Sequence, residues 1–238
     1  TYGLNPQAQL RAVDIESSMF SNTFTVMHED EELGRVTIKA PGSHNVRNAL
    51  ASIAIGRELD MSFDTIKEGI ERYEGVFRRF QLKADKEDIM VIDDYAHHPT
   101  EVQATLQAAR EGWPKRRIIA VFQPHLYTRT QQLYREFGLS FFDAEVLILT
   151  DVYPSREEPI EGVDGHLIAE AAEQYGHRDV HYIADKSELP SKLKELARPN
   201  DMIITMGAGD IYKYGDLFVE ALDEGITGIE NSKNDDIQ

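Results

Sequence analysis

Four short stretches gather most of the side chains that can do chemistry. The densest is Asp93-Asp94-Tyr95-Ala96-His97-His98-Pro99-Thr100, which puts two carboxylates, a phenol and two imidazoles directly after an apolar run. A carboxylate in such a loop can accept both hydroxyls of a ribose. Asp and His are equally ordinary metal ligands, but adjacent histidines on an extended segment point apart, which argues against a shared ion. A capped strand-to-helix turn with surface histidines is the plain alternative. Gln123-Pro124-His125-Leu126-Tyr127-Thr128-Arg129-Thr130 follows the next apolar run and adds His125 and Arg129. A guanidinium can clamp a carboxylate at two points. Earlier, in Gly42-Ser43-His44-Asn45-Val46-Arg47-Asn48, two amides lie three residues apart on one face of a first helical turn. Each offers an acceptor beside a donor, the pattern that matches the N6/N7 edge of adenine. Otherwise Asn45 caps the helix and Asn48 is an ordinary surface residue. Lastly, Arg78 and Arg79 follow Gly75. An arginine here can balance the charge of a transferring phosphoryl group, or be held in a surface ion pair.

These loops need a scaffold, and the hydrophobic pattern describes one. Residues 1 to 41 read as short strands, with Thr23–Val26 and Arg35–Ile38 flanking the acidic turn Glu29–Glu32. A helix is expected from Asn45 to about Leu59, and a second after Phe63, with Asp64 as N-cap and Ile66, Ile70 and Tyr73 on one face. Gly75–Phe80 reads as a hinge. Beyond it, Ile89–Ile92, Ile118–Phe122, Val146–Leu149, Val180–Ile183 and Met202–Thr205 are mostly continuous apolar runs, separated by helical segments such as Val102–Ala109 and Gly165–Tyr175. Such runs predict an α/β fold with a mostly parallel sheet covered on both faces, and ligands at the carboxyl ends of its strands. Two further loops complete that rim: Asp151–Pro159 and Gly207-Ala208-Gly209-Asp210. The latter is a lone Gly-x-Gly after the last strand, not a dinucleotide fingerprint. The expected division is 1–80, 81–222 and a polar, acidic tail over 223–238.

Composition narrows the function. With 238 residues, 41% of them hydrophobic, the chain can build one large core or two smaller ones. Its 42 acidic against 25 basic residues give a net charge of −17, a poor match for nucleic acid. There is no cysteine, which suits a reducing cytoplasm, and no apolar run reaches the roughly 18 residues of a membrane span.

Taken in order and spacing, residues 42–51, 75–80, 93–101 and 122–130 resemble the Mur ligases, and the likeness runs from Thr1 to about Ala221. The resemblance implies the last part of an α/β ATPase domain over residues 1–80, followed by a Rossmann-like amino-acid-binding domain. It implies an ATP-dependent amide-bond-forming ligase of peptidoglycan synthesis, joining L-alanine to UDP-N-acetylmuramate through an acyl phosphate. A ligase recycling murein tripeptide belongs to the same family. By the resemblance, Asn45 and Asn48 contact adenine with His44 beside the nucleotide, Arg79 lies near the γ-phosphate and Asp94 on the ribose. Tyr95, His97, His98, His125 and Arg129 face the sugar-nucleotide carboxylate and the incoming alanine, with Arg79, His97 and His98 as the catalytic set. Two departures stand out. Leu126 occupies a place where many relatives carry arginine, and no Gly-x-x-x-x-Gly-Lys-Thr loop occurs in the sequence. The phosphate cradle and the main Mg2+ ligands are therefore expected ahead of Thr1, in a missing N-terminal part, with this chain inactive by itself. A metal-dependent hydrolase built on His44, Asp94, His97, His98 and His125, and a non-catalytic nucleotide-binding regulator, are the rival readings.

Overall fold

The computed structural model describes residues 1–223; beyond Asp223, the expected tail lies outside the described residues. By contact the chain divides into two units. The first is Thr1–Phe80 with His98–Arg116, and the second is Gln81–His97 with the residues from Arg117 on. The helix set among the residues after 80 by its sequence position thus groups with the first unit.

The first unit is built on a four-stranded sheet in the order β1-β2-β3-β4, comprising Tyr2–Gly3, Leu10–Ser18, Ser21–His28 and Glu31–Ile38. β3 and β4 form the expected hairpin, with Glu29 at φ 54° in its tip. Helices α1 (Ser43–Glu58) and α2 (Phe63–Arg72) cover one face of this sheet. Phe24, Val26 and Val36 from the strands meet Val46, Leu50 and Ile53 from α1, all fully buried, and Ile66 from α2. Two details differ from expectation. α2 is capped by Ser62, whose hydroxyl accepts from Thr65 N at 3.2 Å, while Asp64 sits inside the first turn. Serine two residues earlier wins because a cap must precede the helical residues and reach N3. Tyr73, at the helix end, is 54% exposed and does not join the buried face. α3 (Pro99–Gly112) completes the unit, and its C-cap Trp113 packs with Phe20 and Phe80 at centroid distances of 4.8 and 5.6 Å.

The second unit is a six-stranded sheet in the order β5-β6-β10-β7-β8-β9, comprising Gln81–Lys86, Ile89–Asp94, Asp201–Met206, Arg117–Phe122, Val146–Thr150 and Val180–Ile183. All pairings are parallel except β5 with β6. The expected apolar runs are these strands, and β6, β8 and β10 are buried at every residue, as a doubly covered parallel sheet requires. Helices α4 (Tyr127–Gly138), α5 (His166–Gln174), α6 (Leu189–Leu196) and α7 (Tyr212–Asp223) follow strands β7, β8, β9 and β10 in turn. No described helix is long and apolar enough to cross a membrane.

Candidate functional site

The first unit carries one cluster, at the start of α1. Gly42 is the N-cap with φ 85°, a left-handed geometry that favours glycine, and a Cβ here would lie 2.8 Å from His44 and 2.9 Å from Ala108. Asn45 is therefore not the cap; it sits a turn inside, where its Nδ2 donates to Pro41 O at 2.7 Å. Asn48 Nδ2 donates to Asn45 Oδ1 at 3.3 Å. This chain of bonds fixes which way both amides face. It uses one of Asn48's two amide hydrogens and leaves its carbonyl oxygen out of the pair, so the exposed Asn48 presents a donor beside an acceptor. His44, on the same turn, has its pKa lowered by burial, then by Arg79 and Arg47, against a smaller opposing effect of Glu111. A neutral imidazole beside two guanidiniums keeps the cluster cationic without adding a third charge. Arg79 also reaches Glu101 at 3.9 Å. His98 is the N-cap of α3, with Nδ1 2.8 Å from Thr100 Oγ1 and accepting from Thr100 N at 3.4 Å.

The second unit carries the other cluster, at the carboxyl edge of its sheet. Asp94 ends β6, is 5% exposed, and its Oδ1 accepts from Ala96 N at 2.7 Å, which shapes the turn that follows. Tyr95 and His97 leave that turn with ring centroids 5.3 Å apart. His97 Nδ1 donates to Tyr95 O at 2.9 Å, which leaves the acceptor role in a neutral ring to Nε2. His97 then meets His125 edge-on at 5.9 Å, and His125 stacks on Tyr153 at 5.8 Å with 13° between planes. Arg129 Nη1 donates to His125 Nδ1 at 3.3 Å. Burial lowers the pKa of His125, with Arg129 and His97 adding to the effect and Glu157 opposing it. A row of aromatic and imidazole rings therefore runs along this edge, with one guanidinium alongside.

Beneath this row lies a set of ties that the sequence reading left without roles. Gln123, fully buried, accepts from Ile211 N at 3.2 Å and donates to Asp210 Oδ1 at 3.0 Å. Lys186, after β9, reaches the same Asp210 oxygen and lies 5.9 Å above the Tyr153 ring. Burial works to raise the Asp210 carboxyl, but the bonds from Lys186 and Gln123 outweigh it and the pKa is lowered. Gly209 has a steric reason: a Cβ there would sit 2.3 Å from Gln123 Oε1 and 2.7 Å from Tyr153 Cγ. Tyr153 and Asp210 were visible in the sequence only as members of unusual loops. Nothing in their spacing reveals that one ring stacks on His125 or that one carboxylate joins three loops. Among the described residues no group of three or more His, Asp or Glu converges to hold a metal ion.

Thus Asp94, Tyr95, His97, His125 and Arg129 lie in the second unit, and His44, Asn45, Asn48, Arg79 and His98 in the first. The comparisons with known proteins match this sequence throughout. The family described as "Mur ligase, glutamate ligase domain" matches residues 78–209, and "Mur ligase middle domain" matches residues 1–56. A UDP-N-acetylmuramate–L-alanine ligase of Salinibacter ruber is 50% identical over 97% of this chain and 49% of its own length. That of Trichlorobacter lovleyi is 49% identical over 93% of the chain and 49% of its own. The crystal structure of a UDP-N-acetylmuramate–alanine ligase from Thermotoga maritima superposes with a TM-score of 0.76 at 29% identity, over 94% of this chain and 48% of that one. The chain spans about half the length of the curated relatives it matches. Across more than half of its residues it matches one family's sequence pattern, and the chain belongs to the Mur ligases.

Proposed function

We propose that this chain is the adenine-reading and amino-acid-binding portion of an ATP-dependent ligase that joins L-alanine to UDP-N-acetylmuramate. The observation that carries the reading is the row Tyr95–His97–His125–Tyr153 with Arg129 beside it, set at the carboxyl edge of a parallel sheet. The names of relatives at 49–50% identity support the substrate assignment. We take residues 1–80 as the last part of the ATPase domain and 81–222 as the amino-acid domain, acting in the cytoplasm. Asn45 and Asn48 read the adenine edge, since their coupled amides offer the complementary donor and acceptor. His44 lines the base, Arg79 meets the γ-phosphate, and Asp94 holds the ribose.

ATP, when bound, supplies the phosphoryl group that turns the muramoyl carboxylate into an acyl phosphate. The chain's own contribution is placement. Arg129 fixes a carboxylate by charge and a forked pair of donors. His97, with its Nε2 lone pair, accepts a proton from the attacking amine of alanine, and His125 is kept neutral by burial and by Arg129, so it orients without adding charge. His98 caps α3 in the first unit. Magnesium stands apart: the described residues hold no convergent group of three or more acidic or histidine ligands, and no step is routed through it.

Phosphate release by the full-length protein, with ATP, magnesium, UDP-N-acetylmuramate and L-alanine, tests the reading. Release that depends on L-alanine and is lost in Asp94→Ala is expected, and no turnover by the 238-residue chain alone. Release that ignores L-alanine but responds to murein tripeptide would transfer the site to the recycling reaction. Turnover by the isolated chain would overturn the view that it completes an ATP site without forming one.

A further inference from the structure

We propose that Glu157 is a positioning residue for the His125–Arg129 pair, capping α4 from the segment after β8 and so holding both side chains at the sheet edge. The need for an external cap is visible in the backbone. α4 begins at Tyr127, and its N-cap residue, Leu126, has φ 74° and ψ 131° with no side-chain cap bond. A branched residue rarely adopts this conformation, and such strain persists only where neighbouring contacts over-determine it. Those contacts are present. Leu126 N donates to Tyr153 O at 3.0 Å, Tyr153 N to Pro124 O at 2.8 Å, and Thr130 returns both N–H and hydroxyl to Leu126 O. The amides of the first turn remain, and Glu157 meets them: its carboxylate accepts from Thr128 N at 2.9 Å and from the Thr128 hydroxyl, and the Tyr127 amide adds a weaker stabilisation of its charge.

A carboxylate at a helix N-terminus meets both the orphan N–H groups and the positive end of the helix dipole. Here it is brought from 29 residues away, on a segment whose Tyr153 already stacks on His125. Fixing the first turn of α4 therefore fixes the spacing between His125, just before the helix, and Arg129, just inside it. The carboxylate also faces His125 electrostatically. Arg129 and His97 press that imidazole toward neutrality, and Glu157 is the one acidic group among the named influences that opposes them. The same pairing helps lower the Glu157 pKa, after the larger contribution of the Thr128 bonds. The proposal rests on reading this edge as the amino-acid site only for its purpose; the contacts themselves do not depend on it.

The test uses histidine titration by NMR in the isotope-labelled 238-residue chain. Glu157→Gln keeps the length and an acceptor oxygen but removes the charge, whereas Glu158→Gln removes the same charge one residue on. We expect His125 to titrate at lower pH in E157Q than in the parent, and at the parent's pH in E158Q. Glu157→Ala should speed hydrogen exchange of the Tyr127 and Thr128 amides several-fold. An unmoved His125 with unaltered exchange, or an equal shift in E158Q, overturns the proposal and leaves Glu157 an ordinary surface charge. No nucleotide or turnover enters these readings, so their failure is separate from a failure of the ligase assay.

Discussion

Arg117 opens β7 and Asp201 opens β10, and the two strands are paired so that these residues face each other. The guanidinium grips the carboxylate at two points, Nε to Oδ1 at 2.9 Å and Nη2 to Oδ2 at 2.7 Å, while Nη2 also donates to Leu196 O at 2.7 Å. Asp201 is 2% exposed and accepts a further bond from Arg198 N at 2.8 Å; the hydrogen bond to Asp201 raises the Arg117 pKa. Arg117→Ala removes the two-point partner of a buried carboxylate. Removing one partner of a fully buried pair costs about 3–5 kcal/mol. The Arg117 side chain is 24% exposed, so water softens the loss and about 2–4 kcal/mol is expected. At roughly 2–4 °C per kcal/mol for a domain of this size, the thermal midpoint should fall by about 5–15 °C. Urea unfolding followed by far-UV circular dichroism measures the change, with an unaltered slope showing that the same surface is exposed. The pair lies at the amino ends of its strands, away from the candidate edge, so the His125 titration should not move. The double variant Arg117→Met/Asp201→Leu should cost less than the two single changes added, because no charge is left stranded. A loss below about 1 kcal/mol for Arg117→Ala would show that the pair behaves as a surface one and refute the reasoning.

Other consequences are as direct. Asn48→Ala in the full-length protein removes the exposed half of the amide pair and should weaken ATP binding by about 1–3 kcal/mol, raising the ATP constant more than the alanine constant; equal effects on every substrate would return Asn48 to a structural role. Arg129→Lys keeps charge but not the forked donors, so turnover should drop while the thermal midpoint stays within a few degrees, and a destabilised variant with normal turnover contradicts the assignment. Gly209→Ala forces its Cβ onto Gln123 and Tyr153 and should cost about 1–3 kcal/mol in urea unfolding while disturbing the His125 signal. Burial lowers the pKa of His177 from 6.5, so the unfolded chain binds its proton more readily than the folded one. Its contribution to stability is complete above pH 6.5 and is lost as pH falls through the folded value. His177→Gln should flatten that acid slope in pH-dependent unfolding, and an unchanged slope counts against the buried imidazole as its source.

The parts of the fold visible in the sequence were those where one physical cause dominates. β6, β7, β8 and β10 are apolar along their length because both faces of the sheet are covered, and continuous runs such as Ile118–Phe122 have few other uses. β5 was missed for the opposite reason. Gln81–Lys86 alternates polar and apolar residues at an antiparallel edge and carries no run to notice. The start of α4 falls inside the stretch read as a loop, since it begins from the unusual backbone of Leu126 and takes its cap from Glu157, far along the chain. At the candidate site the loop positions were legible from strand ends, but pairings such as His125 with Tyr153 are tertiary. Gly209 shows the limit well: as part of a lone Gly-x-Gly it reads only as a tight turn or a close approach, and its spacing does not name the neighbours, the buried Gln123 and the Tyr153 ring.

The order of strands in the second unit also bears on how the chain comes to be folded during synthesis. β10 sits between β6 and β7 and hydrogen-bonds to both, yet it is made last among the described strands. Until it emerges, β6 has only β5 beside it, and β7 is paired on one side only. Roughly a hundred residues separate β6 from β10, which at about 5–20 residues per second is on the order of 5–20 s of translation. During that interval two apolar strand edges are open, each buried in the finished sheet. A nascent chain of this design has reason to engage a chaperone, and any truncation before Met206 leaves two half-sheets with nothing to join them.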